Sequence, residues 1–190
     1  MRKGLLFVFS APSGTGKSTI LNKVVQDDPN LVYSISATTR KPRKNEKNGK
    51  DYYFIERDDF INNINEGKML EYDIYCDNFY GTLKSAVEEP VANGKDVILE
   101  ITVEGAMKVK SLFPESIFVF ICPPGLHELE KRIRSRGTED ESVIKNRLRK
   151  AEEEIKYADK YDYVVINDDL SKAILEVKNI ISENRKSGGI

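Results

Sequence analysis

An α/β fold built on a mostly parallel sheet is what this 190-residue sequence predicts, and three observations carry it. Short continuous apolar runs recur at Leu5–Phe9, Asp96–Ile101, Ile117–Cys122 and Tyr163–Ile166, as in parallel strands covered on both faces. Helical patterns alternate with those runs. The first run passes straight into a glycine turn, SAPSGTGKST, that opens a helix from about Lys17.

The other elements follow in order. Helix patterns begin at Glu104 (EGAMKVKSLF), Leu126 (LHELEKRIRSR) and Leu170 (LSKAILEVKNIISENRK). Thr138-Glu139-Asp140-Glu141 reads as a capping box, in which Thr and Glu satisfy each other's free amides, so a helix should start there. Ser85-Ala86-Val87-Glu88 gives the same signal, but Pro90 follows early, so that helix should be short or kinked. Residues 33–82 break the rhythm with short strand-like pieces (YSISATT, YYFI, MLEYDIY, FYGTL), a turn at Asn48-Gly49 and one helix, Asp58–Glu66, closed by Gly67. This is an insertion between sheet strands, a common place for substrate recognition.

Bulk properties narrow the function. A chain of this length buries about 70% of its unfolded surface in one unit, so a single domain with insertions is expected. Lys plus Arg number 30 against 31 Asp plus Glu, so no global field draws it to nucleic acid or an anionic membrane. Cys76 and Cys122 form no recognisable pair or framework, which points to a reducing compartment without disulfides. The opening MRKGLLFVFS has too short an apolar run for a signal peptide and reads as a buried strand. With no stretch of ~18 apolar residues, a soluble cytoplasmic protein is expected.

The chemistry starts at Ala11-Pro12-Ser13-Gly14-Thr15-Gly16-Lys17-Ser18, which departs from the phosphate-loop pattern G-x-x-x-x-G-K-[ST] only at its first position. Such a loop needs backbone amides that converge at a helix N-terminus and a lysine that reaches the terminal phosphates. Pro12 has no amide hydrogen, so residues 13–18 should form the cradle, with Ala11 at the strand exit at negative φ. Ser18 is the candidate Mg²⁺ ligand, Thr19 continues the turn, and Glu100, at the end of a neighbouring apolar run, should face the metal's water shell. The competing reading of Glu100 is an ordinary strand-end carboxylate.

Basic residues then cluster. RKPRKNEKNGK, residues 40–50, holds six cations against Glu46. A solvated loop is the bland reading, and a nucleic-acid arm lacks aromatic residues within the stretch for stacking on bases. Arg40 and Arg43 can instead form a fork for a second phosphate. A third group comprises Arg132, Arg134 and Arg136, with Arg147 and Arg149 beyond the Gly137-Thr138 break; these arginines either pair on the surface or belong to a mobile lid. His127, the only histidine, has no Ser or Cys partner at a recognisable spacing. A phosphate acceptor with second pKa ~6 needs no general base, so positioning and charge would suffice.

With these residues in hand, the chain resembles the guanylate kinases along nearly its whole length, through SAPSGTGKST, SISATTRKPRKNEKNGKDYYF, the EY…FYGT pair, RGTED and VVINDDL. The resemblance implies transfer of the γ-phosphoryl group of ATP to GMP with Mg²⁺. It also implies a P-loop NTPase-type core (1–32, 83–125 and 160–190), a monophosphate-binding insertion (33–82) and a helical lid (about 126–159). It makes Arg40, Arg43, Tyr52 and Tyr80 ligands of the GMP phosphate, supported by Glu46, and turns Ser36, Glu71 and Thr82 toward guanine. Arg132, Arg136 and Arg147 match lid arginines that act on ATP or the moving phosphate, and Asn167 matches an adenine contact. Where the family commonly carries Asp-x-Gln-Gly, this chain has Thr102 and Glu104. The threonine brings a hydroxyl to the guanine site but no charge, so GMP selectivity is expected to be softer.

Two rivals remain at this stage: a kinase of the same architecture for AMP, UMP or CMP, and a protein-binding module that uses the fork for phosphopeptides. The intact Lys17, Ser18 and arginines argue against the second. ATP and GMP are the expected partners, without nucleic acid or membrane, and monomer against homo-oligomer is undecided.

Overall fold

The computed structural model describes residues 2–75, 77–135 and 140–187. Strands β1 (Leu6–Ser10), β2 (Leu31–Tyr33), β7 (Asp96–Glu100), β8 (Ile117–Cys122) and β9 (Tyr163–Ile166) form one five-stranded sheet in the order β2-β7-β1-β8-β9. Every pairing in it is parallel. Phe7, Val8 and Phe9 of the central strand are fully buried, so β1 is covered on both faces as its unbroken apolar run requires. On one face Phe7, Phe9, Ile98, Val119 and Val165 pack on helices α1 (Lys17–Gln26) and α7 (Leu170–Ser187). On the other, Val8, Leu99, Phe118 and Phe120 pack on α3 (Ser85–Ala92), α4 (Val103–Leu112) and Tyr161.

The insertion builds a second sheet, order β4-β3-β6-β5, from β3 (Ala37–Thr38), β4 (Tyr53–Phe54), β5 (Met69–Tyr75) and β6 (Asn78–Leu83). Its small core joins Ala37, Met69 and Phe79 to Phe60 of helix α2 (Arg57–Asn65). The register of β5 on β6 shifts between Met69 and Glu71. Met69 therefore packs inside the insertion while Leu70 packs in the core. A bulge of this kind re-aims the next side chain, here Glu71.

Helices α5 (Leu126–Arg134) and α6 (Glu141–Ile155) pack on each other through Leu129, Ile133, Ile144 and Ala151. Two capping expectations change. Helix α3 starts after Lys84 with no side-chain cap bond, so Ser85 lies inside the first turn instead of capping it. Helix α6 is entered through Asp140, again without a side-chain cap bond; Thr138 and Glu139 lie outside the described residues. Pro90 sits in the last turn of α3, where the cost of a missing amide is small. Leu31–Tyr33 belongs to the parallel sheet, although the sequence reading ran Tyr33 into an insertion strand.

At the end of the sheet remote from the phosphate loop, a buried carboxylate ties four segments together. Asp96, with a side chain 2% exposed, accepts from Leu5 N–H at 2.8 Å and from Arg185 Nε at 2.6 Å, and it pairs with Arg2. Arg185 also donates to Asp28 at 2.5 Å. Asp96→Ala leaves Arg185 Nε and the Leu5 amide without their acceptor, and the expected loss is about 3–5 kcal/mol. Urea unfolding should show a lower midpoint at unchanged slope; a loss under about 1 kcal/mol would contradict this account of the network.

Candidate active site

The phosphate loop leaves the carboxyl end of β1, where open parallel sheets bind ligands. Among the described residues only Asp77 is a non-glycine with positive φ, so Ala11 has the negative φ expected of it. Its methyl packs against the Phe7–Phe9 core, which is why alanine serves at this position. Gly16 has φ 93°, and a Cβ there would stand 2.8 Å from Asn167 Nδ2. Any other residue would be both strained and obstructed. Thr15 is bonded back to the Pro12 carbonyl through N–H at 3.2 Å and through its hydroxyl at 2.7 Å, which closes the turn. Asn167 braces the loop from below by donating to Thr15 O at 2.7 Å.

Lys17 Nζ donates to the carbonyl of Ile101 at 3.3 Å and stands 3.6 Å from Glu100 Oε1. Burial lowers the lysine's pKa, and Glu100 opposes that fall. Ser18 donates to Glu100 Oε1 at 2.8 Å, so a hydroxyl and a carboxylate meet at the mouth of the loop. These hard oxygen donors suit Mg²⁺ held chiefly by phosphate and water. Thr19 is exposed on the first turn of α1.

A second cationic seat lies on the insertion. Glu46 takes Arg40 in a two-pronged pair, Nη1 to Oε2 at 2.6 Å and Nη2 to Oε1 at 2.7 Å, and accepts the Arg43 amide at 2.7 Å. The Arg40 guanidinium lies 5.1 Å from the Tyr52 ring centroid and 5.6 Å from that of Phe54. Tyr80 on β6 meets Tyr52 edge-on at 6.1 Å. The Arg40 partner pulls the Glu46 carboxyl down to about 2. The pair is therefore fully formed above the ordinary carboxylate range and persists until pH falls toward that value. Burial raises the Tyr52 phenol, which stays protonated. Phe54 was not singled out by sequence, because its part depends on a ring placed by β4.

Glu71 lies directly across from Thr82, whose hydroxyl donates to Glu71 Oε1 at 2.8 Å. Glu71 is 7% exposed, and burial raises its pKa. Its other oxygen turns toward α4: a Cβ on Gly105 would meet Glu71 Oε2 at 3.0 Å and Thr102 Oγ1 at 3.3 Å. Thr102 caps α4 by accepting Gly105 N–H at 3.1 Å, so its hydroxyl keeps a donor and one lone pair for another partner. Ser36 stands just before β3, with its carbonyl accepting Tyr53 N–H at 2.9 Å. Gly105 is a site residue the sequence reading passed over, although its place at the opening of a helix just after a strand-end carboxylate was a usable signal.

Helices α5 and α6 touch the loop. Arg147 Nη2 donates to Ser13 Oγ at 2.7 Å, and Arg132 Nη1 reaches Thr15 O at 3.5 Å. Ile133 Cγ1 lies 3.0 Å from where a side chain on Gly14 would begin. Arg136 lies outside the described residues. Arg134 pairs with Glu130 and Glu141 away from the loop. His127 lines an open groove between α5 and α6 with Glu130, Lys145 and Glu152.

A phosphate loop, a second cationic seat on an inserted sheet and an arginine-bearing helical pair over the loop make up the architecture of an ATP-dependent nucleoside monophosphate kinase. A family model described as guanylate kinase matches residues 3–184. A guanylate kinase of Oceanobacillus iheyensis is 49% identical over 185 residues, covering 97% of this chain and 90% of its own. One from Lactococcus lactis is 50% identical over 179 residues, covering 94% and 87%. The crystal structure of guanylate kinase from Anaplasma phagocytophilum superposes with a TM-score of 0.78 at 33% identity, covering 96% of this chain and 87% of that one. The chain belongs to the guanylate kinase family.

Proposed function

We propose that this chain moves the γ-phosphoryl group of ATP directly onto the phosphate of GMP, using position and charge without a general base. One observation supports this above the rest: the strand end and helix start from Glu100 to Gly105 reach both the phosphate-loop lysine and the Glu71 carboxylate. Ile101 holds Lys17 through its carbonyl, and Gly105, four residues on, admits Glu71. The residues facing ATP and those facing the nucleobase of the acceptor thus share one short rigid segment, which suits an in-line transfer between two bound nucleotides.

In this reading residues 13–18 cradle the ATP phosphates, and Lys17, Arg132 and Arg147 neutralise charge that builds on the moving group. Arg136 is proposed for the same task. Arg40, Arg43, Tyr52 and Tyr80 hold the GMP phosphate, while Ser36, Glu71, Thr82 and Thr102 receive guanine. Ser18, with Glu100 through water, would hold Mg²⁺, which supplies charge neutralisation between the phosphates when bound. The acceptor phosphate is already nucleophilic at neutral pH, so no side chain has to remove a proton. The division into core, insertion and lid, and the cytoplasmic setting, belong to the same proposal; the described residues include no helix long and apolar enough to cross a membrane.

The test is a coupled assay of ATP with GMP, AMP, CMP and UMP, with and without Mg²⁺. The expected result is ADP formation with GMP, at least about a hundredfold less with the others, and loss of turnover on chelation. Equal turnover of AMP would overturn the guanine assignment, and turnover indifferent to chelation would overturn the Mg²⁺ assignment.

A further inference from the structure

Helix α4 packs on strand β5. Gly105 in its first turn leaves room for Glu71 Oε2, as described above. Lys108 stands three residues further, on the same face of the helix. Its Nζ donates to the main-chain carbonyl of Tyr72 at 3.0 Å, and the ammonium lies 5.5 Å from the centroid of the Tyr72 ring. Tyr72 directly follows Glu71, so the lysine grips the insertion strand at the residue beside the carboxylate. The strand is also bulged on the other side of Glu71. A bulge loosens the ladder locally, and the placement of Glu71 then depends on what fastens β5 beyond it.

We infer that Lys108 is a positioning residue for nucleobase selection, fastening β5 to α4 so that the Glu71 carboxylate stands where a guanine edge can donate to it. The inference rests on the guanine role proposed for Glu71. Lys108 touches neither seat and acts through its neighbour. Its charge acts alongside its geometry. Thr82 from β6 and Lys108 from α4 favour the ionised Glu71 carboxylate, whereas burial and Asp73 on its own strand oppose ionisation.

The experiment compares the full chain with Lys108→Met and Lys108→Arg, reading kcat and KM for each substrate from about pH 5 to about pH 8. Lys108→Met should raise KM for GMP roughly threefold to fivefold, the size an exposed charged contact supports, with kcat and the KM for ATP held within about twofold. The acid limb of kcat/KM for GMP should move to higher pH; ionisation of the GMP phosphate is common to all variants and drops out of the comparison. Lys108→Arg should restore both readouts, since it keeps the charge and a donor. An unchanged KM for GMP and an unmoved limb would overturn the inference, as would a joint fall in kcat and ATP affinity that arginine does not rescue. Glu71→Gln measured in parallel separates the failures. If it leaves the GMP to AMP preference intact, the guanine role falls and this inference with it; if it removes the preference while Lys108→Met changes nothing, only the positioning role falls.

Discussion

Lys17→Met lowers kcat by about a thousandfold or more, with no loss of thermal stability. Removing one neutral donor from a site of developing negative charge costs about 10²–10³ in rate, and here a full positive charge is removed. The lysine's side chain is only 15% exposed, and it is held by Ile101 O and Glu100. An ammonium kept in such a spot is costly to the fold, because burial works against the charge. Methionine fills similar volume without that cost, so melting should not fall. Steady-state turnover with saturating GMP, together with a thermal melt, checks both halves. A drop in kcat below about tenfold would remove Lys17 from the transfer step.

Glu71→Gln collapses the preference for GMP over AMP by at least about a hundredfold in kcat/KM. An ionised carboxylate accepts two parallel donors, and guanine offers N1–H and N2–H in that arrangement, whereas adenine turns a lone pair at N1 toward it. An amide in the same place accepts one donor and presents its own N–H to the other, leaving a buried mismatch. The Thr82 hydroxyl fixes which way the group faces, donating to Oε1 at 2.8 Å. Thr102 cannot take over, because it has no charge and, after accepting Gly105 N–H, only one lone pair left where guanine offers two donors. Competition between GMP and AMP in one reaction gives the ratio directly, and an unchanged ratio would remove Glu71 from base selection.

What could be read from the sequence was local. Tyr163–Ile166 coincides with β9, but this edge strand is not covered on both faces as its run suggested, because Val164 and Ile166 are exposed. Ile117–Cys122 coincides with β8, since a strand buried on both faces prints itself as an unbroken apolar run. The phosphate loop was legible for the same reason: its glycines, lysine and hydroxyls act within one turn. The pairing of Arg40 with Glu46 also spans only six residues. Harder to see were features made by distant segments. Leu31–Tyr33 is too short to announce itself, and its place beside β7 is set by register. Ser85 looked like a cap, yet Lys84 N–H bonds to Lys68 O, so the chain arriving from β6 fixes where the helix begins. Gly105 and Lys108 matter through β5, and Asp96 through the last helix, 89 residues away at Arg185. No periodicity encodes such meetings.

The central claim is that the phosphate loop and the Arg40 seat face one another closely enough for direct transfer. A ligand in which adenosine and guanosine are linked through a polyphosphate bridge would occupy both at once, and calorimetry can measure its affinity for the unmodified chain, Lys17→Met and Arg40→Met. The account predicts binding at least about a hundredfold tighter than ADP or GMP alone, and a loss of that advantage in both variants. Binding no tighter than ADP, and indifferent to Arg40→Met, would show that the seats cannot be bridged and would contradict it.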